Sequence, residues 1–91
     1  MLTSTQRKAL KAKAHNLEPV VLIGNKGLTD AVLAEVDLAL KSHELIKVRA
    51  PGLERDDRER AFNEACERIG ADLVQVVGKV AVLYRKKPEP S

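Results

Sequence analysis

The clearest chemical signal in the chain is the tetrapeptide Gly24-Asn25-Lys26-Gly27, followed at once by Leu28, Thr29 and Asp30. Glycine at both ends lets the main chain turn without a Cβ and lets another backbone come close. The helix start that follows offers free N–H groups at its positive dipole end. That combination suits a phosphate. The spacing is neither the G-x-x-x-x-G-K-[ST] of a P-loop nor the G-x-G-x-x-G of a dinucleotide fold, so nucleoside triphosphate and NAD are poorly supported. A G-x-x-G with an internal lysine is the pattern of the KH-type loop, which clamps nucleic-acid backbone. Read alone, the tetrapeptide is first of all a tight turn.

Cations surround this signal in the sequence. Arg7, Lys8, Lys11 and Lys13 precede the first acid, Glu18, and give one helix a cationic face. Lys47 and Arg49 alternate with Ile46 and Val48, which places both bases on one side of a strand. Lys79, Arg85, Lys86 and Lys87 follow later, and any of these cations also suits a solvated face or a protected strand edge. With Phe62 on a helix stripe and Tyr84 alone on a strand, no aromatic platform for stacking bases exists, so nucleic acid would be gripped mainly by its backbone.

Catalytic and metal chemistry find little support. His15 and His43 each fall at a helix end and suit dipole compensation there. Cys66 lies in an apolar stripe between Phe62 and Ile69, and the three residues lack the ligand spacing of a zinc site. Asp56, Asp57 and Glu59 interleave with Arg55, Arg58 and Arg60, as expected of a locally paired helix start. No nucleophile and base pair off, and no cofactor or metal is implied.

The elements that must position the loop follow from periodicity. Thr3 to Gln6 has capping-box spacing before a helix over about 4–15, and Pro19 ends it ahead of the strand Val20 to Ile23. Thr29 caps a second helix reaching Ser42-His43, and Glu44 to Ala50 alternates as a strand. A third helix is closed by Gly70. A hairpin then joins Asp72 to Val77 with Val80 to Arg85 across Gly78-Lys79. The order is α-β-α-β-α-β-β, a two-layer α/β domain with a mixed four-stranded sheet. Strand order does not follow from these local signals.

Composition agrees with one small domain over 1–85 and a flexible, polar tail over 86–91. The 91 residues include 44% apolar side chains and 16 Lys+Arg against 13 Asp+Glu, a formal charge of +3. The basic excess avoids residues 50–70, which hints at a one-sided basic surface. A single cysteine excludes a disulfide scaffold, and neither a membrane span nor a secretory signal is read, so a reduced, cytoplasmic setting is expected.

Longer motifs bear a family likeness. The run from Ala14 to Thr29, then His43-Glu44-Leu45-Ile46-Lys47-Val48, then Val74-Gln75-Val76-Val77-Gly78 with Val82-Leu83-Tyr84-Arg85, resembles the YhbY-type RNA-binding module, also called the CRM domain. The resemblance covers nearly the whole chain. It implies a fold like the C-terminal domain of a bacterial translation initiation factor, with RNA contacted by the glycine loop and the adjacent basic surface. In this chain those positions are Gly24, Asn25, Lys26 and Gly27, with Arg7, Lys8, Lys11, Lys47, Arg49 and Arg85. A single copy of the module implies the branch associated with precursor large ribosomal subunits, and so a monomeric, non-enzymatic partner of ribosomal RNA without membrane or small-molecule substrate. The rival readings are a protein-interaction adaptor with a basic face and a small phosphate-substrate enzyme.

Overall fold

Thr3 starts α1 (Ser4–Ala14) with both halves of a capping box: its hydroxyl accepts from the Gln6 N–H at 3.1 Å, and Gln6 Oε1 accepts from the Thr3 N–H at 2.9 Å. The structure, a computed structural model, describes residues 2–87, so residues 88–91 of the expected tail lie outside the described residues. Next comes β1 (Pro19–Leu22), one residue earlier than the expected strand Val20 to Ile23. Thr29 then caps α2 (Asp30–His43), its hydroxyl accepting from the Val32 N–H at 3.2 Å.

Between α2 and β2 (Leu45–Arg49) stands Glu44, expected as the first strand residue but turned at φ 60 as the helix C-cap. Its N–H donates to the Leu40 carbonyl, and its own carbonyl and carboxylate accept from the Arg85 and Lys87 N–H groups at 2.9 and 2.7 Å. These three bonds compensate a conformation that costs a non-glycine residue free energy. The chain continues through α3 (Arg55–Ile69), ended by Gly70 at φ 69, into β3 (Asp72–Val77) and β4 (Val80–Tyr84), with Gly78 at φ 58 in the connecting turn. None of the helices among the described residues is long and apolar enough to cross a membrane.

The sheet order is β1-β2-β4-β3, with β1 and β2 parallel and β4 antiparallel to both of its neighbours, β2 and β3. Its buried face carries Val21, Ile46, Val48, Ala81 and Leu83 against Val36 and Leu40 of α2 and Phe62 and Cys66 of α3. The two-layer expectation describes this side. The opposite face is not bare, because Leu10 and Ala14 of α1 pack there on Leu45, Val74, Val82 and Tyr84 as a small third layer. The two central strands, β2 and β4, are apolar on both faces at that end, and α1 removes the excess from water. Cys66 is core, as its stripe predicts, and burial pushes its thiol up to about 11.

Candidate nucleic-acid interface

The glycine loop is anchored at both of its ends. The Ile23 N–H donates to the Arg49 carbonyl at 2.7 Å, which holds the main chain against β2 up to Gly24. The Gly27 N–H then donates to the Gly24 carbonyl at 3.0 Å, closing a four-residue turn. Gly27 has φ 76, a conformation that a side chain would strain, whereas a Cβ built on Gly24 would meet nothing within 4 Å. The two glycines therefore do different things: one permits the turn, and the other leaves open space in front of it. Asn25 packs against the Pro51-Gly52 turn so closely that a Cβ on Gly52 would collide with Asn25 Oδ1. Asn25 and Lys26 are both exposed, and Lys26 brings the loop's positive charge to a ligand.

The fold divides the cations into two groups. Arg7 donates through Nη1 to the Leu73 and Val74 carbonyls at 2.7 and 2.8 Å, beside the bulge where β3 shifts register against β4. Arg85 donates to Asp37 Oδ1 at 2.7 Å, to the Ile69 carbonyl at 2.8 Å and to the Asp37 carbonyl at 3.1 Å. The sequence reading places both in the interface, and in the structure both side chains make hydrogen bonds within the fold. Arg7 lies one turn ahead of Leu10 on the packed side of α1, and Arg85, just past β4, reaches the free carbonyl at the end of α3. On α3, Arg55, Arg60 and Arg68 pair with Glu59, Asp57 and Glu64, and Arg58 donates to the Leu53 carbonyl. Of seven arginines, only Arg49 has no side-chain hydrogen bond or ion pair among the described residues.

Two consequences are measurable. Arg7→Gln leaves part-buried carbonyls short of a charged donor and should lower stability by about 1–3 kcal/mol, read as a reduced urea midpoint with an unchanged m-value. Arg85, and after it Lys41, hold the Asp37 carboxyl below its usual 3.8. A depressed folded pKa adds stability above the unfolded value that is lost as pH falls through the folded one. Arg85→Gln should therefore cost most near neutral pH, and its gap in Tm to the parent should narrow below about pH 4, where Asp37 protonates in the unfolded chain.

The remaining cations meet at one end of the sheet. Leu22, Arg49, Val80 and Val77 are cross-strand neighbours in a single row over β1, β2, β4 and β3, and Lys47, Val82 and Gln75 form the next row. Lys11 of α1, His15 at its C-cap and Lys47 of β2 line the cleft above these rows, where Glu18 is the one acidic lining residue among the described residues. The Ala50 N–H donates to the Lys79 carbonyl at 2.9 Å, which brings the β3–β4 turn beside Arg49 and the loop. Lys8 is exposed on α1 but does not line the cleft. On its other flank the loop faces Asp57, Arg60 and Glu64 of α3, a wall of mixed charge. Lys79 and the apolar members of the row are additions to the residues expected from sequence. The outward alternation of Leu22 and the turn position of Lys79 were the signals available.

Comparison with known proteins is consistent across sequence and structure. The sequence model of the family described as the CRS1 / YhbY (CRM) domain matches residues 2–85. A probable RNA-binding protein of Pseudomonas aeruginosa is 48% identical over 99% of this chain and 86% of its own length. An RNA-binding protein of Haemophilus influenzae is 43% identical over 97% of this chain and 89% of its own. The solution structure of a hypothetical Staphylococcus aureus protein, itself put forward as an RNA binder, superposes with a TM-score of 0.85 at 34% identity, covering 100% of this chain and 95% of that one.

Proposed function

Because the chain belongs to the CRS1/YhbY (CRM) domain family, we propose that it binds RNA, gripping the backbone where the Gly24–Gly27 loop meets the open end of the sheet. The observation that carries this reading is the division of the cations: Lys11, Lys26, Lys47, Arg49 and Lys79 have no salt-bridge partner among the described residues, while Arg55, Arg60 and Arg68 of α3 pair with acids of their own helix. Phosphates that displace counterions from such a surface supply affinity without sequence readout. The open space in front of Gly24 admits a sugar–phosphate chain close to the main chain, and Lys26 provides the adjacent positive charge. Asp30 already occupies the first turn of α2, so the helix end contributes less than the side chains do.

The protein acts by holding RNA in place and not by transforming it, as a monomer in the cytoplasm, and its RNA is that of precursor large ribosomal subunits. The family likeness supports this assignment through the ribosomal partner that the resemblance implies. Crosslinking in cells followed by sequencing of the attached RNA tests it. Reads concentrated in large-subunit ribosomal RNA, from particles lighter than the mature subunit, are the expected result. Reads dispersed over messenger or transfer RNA would contradict it.

A further inference from the structure

The open row of the sheet has a chemistry that a backbone clamp does not use. Leu22 is 55% and Val77 61% exposed, and they stand at the two ends of the row, with Arg49 and Val80 between them. A folded domain of this size has ample core to bury such residues, yet α1 stops short and covers only the far end of the face, at Leu45, Val74, Val82 and Tyr84. The uncovered part is thus apolar carbon flanked by cations, with Lys47 in the next row and Lys79 in the adjoining turn. No acid stands in either row.

We propose that this row is a seat for unpaired nucleobases, which lie on Leu22, Val80 and Val77 and stack on the Arg49 guanidinium while their phosphates run to the loop and to Lys47. The proposal rests on the RNA-binding reading and adds the form of the RNA: a single-stranded segment, not a duplex. Three features argue for bases over an acidic protein surface. The row begins where the chain leaves β1 for the glycine loop, so a strand clamped there passes directly onto it. It spans three inter-strand spacings, about 14 Å, comparable with the sheet that carries two or three bases in RRM modules. Arg49, the arginine that the fold leaves unpaired, presents a planar, weakly hydrated cation, the group that stacks on bases when aromatic rings are missing. A base edge-paired inside a duplex has no free face for such a seat.

The test is a cycle between the row and the bases. Leu22→Thr with Val77→Thr keeps strand-forming side chains at two exposed positions, and Arg49→Lys keeps the charge while removing the plane. Each protein is titrated at low salt with an oligouridine and with the same oligomer carrying abasic residues. Thermal melting confirms the fold of each variant. The expected result is that both variants bind oligouridine up to about tenfold more weakly than the parent, lose clearly less on the abasic strand than on oligouridine, and keep the parent's salt slope. Equal losses on both strands, or no loss on either, would overturn the base seat while leaving the backbone clamp intact. If the unaltered protein binds neither strand, the RNA-binding reading itself fails and this inference with it.

Discussion

A protein carrying Asn25→Asp and Lys26→Asp should fold normally and bind RNA about 10- to 100-fold more weakly than the parent. The double change moves the loop by three charge units at the point of closest approach, removing one cation and adding two anions. It leaves Gly24 and Gly27 in place, so the turn closed by the Gly27 N–H and the Gly24 carbonyl is retained. Aspartate has the shape of asparagine and can keep the packing of Asn25 on the Pro51-Gly52 turn. A companion substitution, Gly24→Val, separates space from charge. Its Cβ meets no atom within 4 Å in the protein, and so a loss of RNA affinity in a folded variant reports on the space that the backbone of RNA would fill. Fluorescence anisotropy at fixed salt reads both, with the thermal midpoint as the control for folding. Unchanged affinity in the double variant would reduce the loop to a connection between β1 and α2.

The second large effect is on salt. With no aromatic residue on the open rows, affinity comes largely from cations that displace counterions, and Lys11, Lys26, Lys47, Arg49 and Lys79 are enough for about four to six phosphates. A contact set of that size gives a log-log slope of roughly −3 to −4 on single strands, so binding should weaken roughly 60- to 250-fold between 50 and 200 mM salt. Stacking on Arg49 adds a part that salt does not remove, and it discriminates unpaired from paired RNA more than one sequence from another. Selectivity among RNAs then comes from the shape of a folded target that presents an unpaired segment next to accessible phosphates. A slope near zero, or a strong preference for one short sequence that persists in high salt, would contradict the backbone clamp.

Local signals in the sequence account for most of the elements, because their physics is local. The capping box of Thr3 and Gln6, the Thr29 cap, the left-handed Gly70 and the Gly78 turn each involve partners within a few residues, and each is where the spacing put it. The roles of Arg7 and Arg85 were not legible for the opposite reason. Their acceptors are carbonyls and a carboxylate far away in the chain, 66 residues for Arg7 and Leu73, and a basic residue on a helix looks the same in sequence whether it faces water or a distant strand. Strand order and the side of the sheet that α1 covers are likewise set by packing between distant segments. Lys47 and Arg49 were visible as one face of a strand by alternation alone, but the register that puts Leu22 and Val80 on either side of Arg49 was not.

Nuclear magnetic resonance mapping of the backbone and side chains during titration with single-stranded RNA locates the RNA on the protein, since it reports every candidate surface at once. Shifts should concentrate at Gly24–Gly27, Lys47, Arg49 and the Gly78-Lys79 turn, with the Arg49 guanidinium and the Leu22 and Val77 methyls among the largest, and with the outer faces of α2 and α3 unmoved. Shifts confined to the paired charges of α3, with the loop and the open row unchanged, would contradict it.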